Sequence, residues 1–332
     1  MAVPLSAEVR GTVLLNAYSR LLQDSNKHVR TGAYLHLGPF MATLKSSQVS
    51  MGMVQSFCGM ADEEELKLQA AFQVPSVVLT IGRGRWFELR ECYLSLCRSE
   101  NPKVRRTLAC SLHEVARILG SELCENDLLP VFESFANDED AVRSGITAHL
   151  AQFLQSLRPD LVRPYLPLVG DLLGKAASMD WRARELIARQ IDGLARLLNP
   201  EAAEAVLVPI VFDLLRDNVA QVRKIAVDAI PSLLRALSSE ANPKIQADLV
   251  AKLHAFATSE FFQERQTFVQ FSAGIFALEP EESALATGFL RLFESLATDP
   301  VADVRISVKK VAAALPLWIQ AAENGRKFIE LR

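Results

Sequence analysis

An apolar residue followed by a basic one recurs along this chain at a spacing close to forty residues. The pairs are Val29-Arg30, Leu66-Lys67, Val104-Arg105, Val142-Arg143, Trp181-Arg182, Val222-Arg223 and Val304-Arg305, with a weaker copy at Glu264-Arg265. An acid or amide usually stands a few residues earlier, as at Asp24, Asp62, Asn101, Asp138, Asp217 and Asp299. Self-similarity at about 40 residues, with two helical stretches per period, is the signature of HEAT or armadillo arrays. The expected fold is therefore all-α: a HEAT-repeat α-solenoid, a superhelix of about eight antiparallel helix pairs.

Each period reads as a helix A, a short polar turn and a helix B that begins near the apolar-basic pair. In the third period helix A is expected from about Trp86 to Cys97, with the turn at Arg98 to Pro102. Asn101 is placed to cap helix B, and Pro102 fits the first helical position, where its missing N–H costs nothing. Val104, Leu108, Leu112, Val115 and Leu119 then form one apolar stripe, while Arg106, His113 and Arg117 fall on the other face. Gly120 follows as a candidate left-handed cap. The sixth period repeats the pattern, with helix A at about Ala203 to Leu215, Asp217-Asn218 as the cap, and a stripe of Val222, Ala226, Ile230 and Leu233. Other turns fall at residues 137–140, 178–180, 258–260 and 298–300, and Gly or Pro marks the connections between repeats at 82–84, 158–160, 199–200, 242–243 and 279–280. No low-complexity linker interrupts the series. Residues 1–332 therefore read as a single continuous solenoid. The apolar segment 326–332 after Asn324-Gly325 begins a further helix, so the chain is expected to be a portion of a longer array.

Composition narrows the function. Half the residues are apolar, which suits helices packed on several sides. The 36 basic and 39 acidic side chains nearly balance, without the basic footprint of a nucleic-acid binder. Cys58, Cys92, Cys97, Cys110 and Cys124 are odd in number and lack C-x-x-C spacing, which points to a reduced, intracellular protein. No signal peptide and no membrane span is expected, and the expected location is the cytoplasm, the nucleus or both.

The search for catalytic chemistry finds little. His113-Glu114 opens like a zinc-protease H-E-x-x-H, but Arg117 stands where the second ligand belongs. A HEAT-type metal hydroxylase would need several His-Glu pairs, and this is a single one. Gly82 and Gly84 lack the third glycine of a dinucleotide fingerprint, and neither G-x-x-x-x-G-K-[ST] nor G-x-S-x-G occurs. The chain is read as no enzyme, with no cofactor, no metal, no nucleic acid and no membrane.

A binding surface is the better expectation. The basic member of each pair could be a cation ladder for an acidic ligand. It is more simply explained if stacking lets the Asp of one turn bond the Arg of the next, which removes Arg105, Arg143, Arg223 and Arg305 from contact. The A–B turns line one ridge and their side chains are free of the core, so they can meet a partner. Arg98, Glu100, Asp138, Glu139, Asp140, Met179, Asp180 and Trp181 are the candidate partner-binding residues. The alternative for each is a solvated capping turn. Trp181 occupies a position where Val is usual, so it is expected partly buried and still able to anchor an interface. The connection from Gly82 to Trp86 could grip a phosphate or an acid, although a turn with Trp86 in the core explains it more simply.

One stretch is more specific than the repeat. Residues 71–83, Trp86, Leu89-Arg90, 103–109, 111–116, 118–120, 129–132, 140–143 and His149-Leu150 resemble the protein phosphatase 4 regulatory subunit 1 family. The likeness is strongest over roughly residues 70–160. More distantly, the chain is similar to the scaffold subunit of protein phosphatase 2A. The resemblance implies a non-catalytic regulatory or scaffold subunit. Its expected partner is a serine/threonine phosphatase catalytic subunit, with a further regulatory or substrate protein as a second one. The family has no short contact motif that can be carried onto this sequence. A karyopherin-like transport receptor or generic adaptor is the alternative, and it would bind through B-helix residues such as Arg106 and Arg117.

Overall fold

The computed structural model describes residues 5–177, 180–238, 242–277 and 283–314. The main helices are α1 (Leu15–Leu22), α2 (Lys27–Leu35), α3 (Met51–Asp62), α4 (Lys67–Ile81), α5 (Arg90–Cys97), α6 (Pro102–Leu119), α7 (Leu129–Ala136) and α8 (Asp140–Thr147). They continue as α9 (Leu166–Ala177), α10 (Trp181–Ala195), α11 (Pro200–Leu215), α12 (Ala220–Ala236), α13 (Pro243–His254), α14 (Phe262–Phe276), α15 (Ser283–Ser295) and α16 (Ala302–Ala313). Odd-numbered helices are A and even-numbered are B. No strand occurs among the described residues, and none of their helices is long and apolar enough to cross a membrane.

The chain divides into two compact units, Met1–Leu168 and Val169–Arg332. Each is built as an α-solenoid. In the first, α6 lies between α4 and α8; in the second, α12 lies between α10 and α14, and α14 also packs on α16. Within each unit the B helices thus stack on one another, as their stripes require. Val104, Leu108, Leu112, Val115 and Leu119 are buried, as are Val222, Ala226, Ile230 and Leu233. At about 1.5–3 kcal/mol for each large apolar side chain taken from water, such a stripe contributes far more than intrinsic helix propensity. The stack is tight: a Cβ on Gly145 of α8 would stand 2.9 Å from Ala109 Cβ and 3.2 Å from the Cys110 nitrogen of α6.

Two B helices are interrupted, and the first break is bridged by a side chain. Helix α2 ends at His36 and resumes at Leu37–Met41. Gln73 of α4, itself buried, donates Nε2 to the Tyr34 carbonyl at 3.0 Å and accepts from the Gly38 N–H. A buried break would otherwise leave polar backbone without partners. Helix α8 is also interrupted, ending at Thr147 and resuming at Leu150–Leu154.

Local expectations fare unevenly. Asn101 does cap α6, accepting from Lys103 N–H at 3.0 Å, with Pro102 as the first residue. Gly120 has φ +79° but ψ 172°, so it is a positive-φ terminus in the extended, glycine-only region and not a left-handed cap. In the third period helix A begins at Arg90, and residues Arg83–Glu88 form a 3-10 turn that sinks Trp86 into the core. In the sixth, helix A starts earlier, at Pro200. Asp217 accepts from the Val219 N–H there and caps the turn instead of starting the helix. Met179 and Ser178, the connection 279–280 and the segment 326–332 lie outside the described residues.

The repeating pair has a physical explanation that the sequence half anticipates. Six of these arginines fold back over their own A–B turns: Arg30, Arg105, Arg143, Arg223, Arg265 and Arg305. The guanidinium of Arg30 donates to the carbonyls of Asp24 (2.6 Å) and Ser25 (3.0 Å). Arg105 does so to Ser99 and Glu100, Arg223 to Asp217 and Asn218, Arg265 to Ser259 and Glu260, and Arg305 to Asp299 and Pro300. These carbonyls lie in the turn just beyond helix A, outside its own hydrogen-bond ladder, and the guanidinium ties the two of them together. In three places an arginine grips an Asp of the next turn in a two-bond fork: Arg105 to Asp138, Arg184 to Asp217, and Arg265 to Asp299. The direction is forward, from the Arg of one repeat to the Asp of the following turn.

The fifth mark is therefore Ala183-Arg184, not Trp181-Arg182. Ala183 is buried, whereas the Arg182 guanidinium is exposed and lies 4.6 Å over the Trp181 ring. Trp181 looks apolar enough to be the mark but is the first residue of α10, two positions too early. Chemical denaturation should separate the two arginines. Arg184→Ala is expected to cost about 2–4 kcal/mol because it strands Asp217, and Arg182→Ala under about 1 kcal/mol. Equal midpoints for the two variants would refute this assignment.

Candidate functional site

The A–B turns of the third and fourth repeats sit side by side in the first unit, locked by the Arg105–Asp138 fork at 2.6 and 2.8 Å. In the third turn Ser99 is buried and its carbonyl is taken by Arg105. Arg98 and Glu100, on either side, are turned outward and exposed. In the fourth turn the three acids have three different environments. Asp138 is mostly covered and bonds both Arg105 and the Glu139 N–H. The hydrogen bonds from Arg105 hold its carboxyl below the usual range against the opposing effect of burial. Asp140 is exposed and pairs with Arg143 of its own helix. Glu139 is 62% exposed and stands 3.6 Å from Arg105, a solvated contact worth little.

Asp180 and Trp181 belong to the second unit. Asp180 accepts from the Ala183 N–H at 3.0 Å and caps α10, as an N-cap aspartate should. Trp181 is half-buried, so a ring face remains for contact under the Arg182 guanidinium. The structure thus brings Arg98, Glu100, Glu139 and Asp140 together as outward side chains, and gives Asp138 the internal role of joining repeats. Charge and turn position single out Asp138 in the sequence, and the same two properties suit it to the fork.

Two clusters escape the sequence reading. Trp86 donates Nε1 to Asp127 at 2.7 Å, and Arg90 donates Nε to the other oxygen at 2.8 Å. The aspartate is one repeat downstream of Arg90, the spacing of the turn forks, and that is the available signal. On the B side, His113 and His149 stack at 3.9 Å and 13°. Burial lowers the pKa of both, and the charge of His149 would lower that of His113 further. Neither spacing nor composition marks that pair, because its geometry depends on the break at His149.

Comparison with known proteins places part of the chain in a family. Residues 70–172 match the family described as the protein phosphatase 4 regulatory subunit 1 middle domain. The resemblance holds. The matched region contains both forked turns, the Trp86–Asp127–Arg90 cluster and the stacked histidines. The chain is 37% identical over 208 residues to the human serine/threonine-protein phosphatase 4 regulatory subunit 1, covering 62% of this chain and 22% of the relative. The mouse protein gives the same figures. The similarity is therefore wider than the stretch 70–160, and the matched part is about a fifth of the relatives' length. A regulatory protein of phosphatase PP2A from Schizosaccharomyces pombe is 29% identical over 119 residues, 34% of this chain and 19% of that one. Among solved structures, a homology model of the full-length AP-3 complex superposes with a TM-score of 0.60 at 13% identity, over 97% of this chain and 54% of that one. An engineered protein superposes at 0.52 with 16% identity, over 98% and 86%. These two show the fold alone.

Proposed function

We propose that this chain is a non-catalytic regulatory or scaffold subunit, in the cytoplasm or nucleus, that binds a serine/threonine phosphatase catalytic subunit of the phosphatase 4 kind and directs it to substrates. The match of residues 70–172 to a phosphatase 4 regulatory subunit domain carries the reading. The contact is assigned to the outward side chains of the turns: Arg98, Glu100, Glu139 and Asp140 in the first unit, and Asp180 and Trp181 in the second. Asp138 is left out because its carboxylate serves the fold. A rigid turn ridge can offer charged and aromatic side chains without disturbing the core.

The test is capture of phosphatase catalytic subunits from a cell lysate by immobilised chain. Glu139→Lys/Asp140→Lys is expected to reduce capture about tenfold, equivalent to about 1.4 kcal/mol. Trp181→Ala is expected to reduce it by a similar factor, and Arg182→Ala to leave it unchanged. Equal capture by every variant would move the contact off the turns. No capture by the wild type would end the phosphatase reading.

A further inference from the structure

We infer that the groove between α5 and α7 is a docking site for a short extended peptide carrying one large apolar side chain and a nearby aspartate or glutamate. The inference rests on the reading of this chain as an interaction protein and names what one of its surfaces would take. The cavity has a volume of about 210 Å³, lined by side chains of both helices and of the segment before α7. Such a space suits one large side chain and is smaller than the usual small-molecule site of about 300–1,000 Å³. Its floor is apolar, from Leu94, Val131 and Phe135.

Its rim is polar and unengaged. Arg98, Asn126 and Ser134 are all exposed and line the opening. None of these three side chains has a hydrogen bond or ion pair within the described residues, whereas the arginines of the repeat marks are all bonded. The wall behind them is fixed: Arg90 and Asp127 hold each other at 2.8 Å, and Trp86 takes the second carboxylate oxygen. Each Asp127 oxygen therefore has a donor, and the carboxylate charge is offset by Arg90. The positive charge left over at the groove is Arg98. A guanidinium with unused donors, beside an amide and a hydroxyl, complements a carboxylate, and the apolar floor supplies an anchor for the adjoining side chain. Arg98 also belongs to the third turn, so the groove opens onto the ridge assigned above.

The experiment uses the full chain and an array of immobilised synthetic octapeptides, in which Leu, Ile or Phe is combined with Asp, Glu, Asn, Gln, phosphoserine or Lys at each position. Wild type is expected to retain peptides with an apolar residue and an acid two to four positions away, and to lose them at least tenfold on replacement of the acid by its amide. Arg98→Glu should lose the same peptides at least tenfold with an unchanged melting curve, because its exposed side chain has no hydrogen bond or ion pair among the described residues. Arg117→Glu, on a B helix, should behave as wild type. Amide peptides bound as well as acidic ones, retention of phosphoserine peptides alone, an unchanged profile for Arg98→Glu, or no retention at all would each overturn the assignment. None of these outcomes bears on capture of the phosphatase catalytic subunit, which is read separately.

Discussion

Trp86→Ala is expected to lower the stability of the first unit by about 3–5 kcal/mol, the range for removing a large aromatic from a packed core. The indole is 2% exposed and packs edge-on against Tyr93 at 5.4 Å. Its N–H is also one of two donors to the buried Asp127, the other being the Arg90 guanidinium that offsets the charge. The alanine variant thus opens a cavity and leaves a carboxylate oxygen without its partner, and these costs act on one site. Trp86→Phe separates them. It keeps most of the apolar volume and loses the hydrogen bond, so about 1–3 kcal/mol is expected. Urea denaturation gives the totals, and hydrogen exchange of the α5 and α7 amides locates the loss. If the two variants are equally mild, the cluster is not a structural anchor.

The Trp86 cluster also shows how much of the molecule its sequence discloses. The stripes of α6 and α12 are legible because a buried helix face repeats at the helical period whatever its neighbours do. The third-period helix boundary is misplaced in the sequence because Trp86 looks like the start of an amphipathic helix, while its burial depends on Asp127 in the next repeat. The same reason explains Arg184. Trp181 offers the bulk expected of the mark, yet only the position of Asp217 across the stack tells which arginine is in register. The direction of the forks, and with it the repeat-joining role of Asp138, is likewise a property of two repeats together. Arg98, Glu100 and Glu139 are legible as candidates because an exposed turn needs few neighbours to define it. His113 and His149 are not, since a helix break brings them together.

Arg265→Ala is the second substitution with a large expected effect, about 3–5 kcal/mol as for breaking a buried ion pair from one side. The pair is the most enclosed of the three forks, with side chains 12% and 3% exposed. Arg265 spans two turns, donating to Asp299 at 2.7 and 3.1 Å and to the carbonyls of Ser259 and Glu260 at 2.7 and 3.1 Å. Its loss leaves a buried carboxylate and the closing carbonyls of an A–B turn unpaired together. Acid titration distinguishes this from a packing defect. Hydrogen bonds from Arg265 hold the Asp299 carboxyl below the usual range, although burial pushes the other way and the Val301 N–H and nearby arginines assist. A carboxyl depressed in the folded chain contributes stability that is complete above its unfolded pKa of about 3.9 and disappears as pH falls through the folded value. Wild type should therefore lose stability below about pH 4, and Arg265→Ala, having already lost the fork, should lose less over that window. Adding Asp299→Asn to Arg265→Ala should recover part of the deficit at neutral pH, because the stranded charge is gone while the Val301 N–H keeps an acceptor. Parallel acid curves for wild type and Arg265→Ala, with no recovery in the double variant, would show that the fork contributes nothing beyond packing. Its forty-residue recurrence would then reflect turn closure alone, since the arginine-to-carbonyl bonds also occur at Arg30 and Arg223, where no forward fork to the next turn is seen among the described residues.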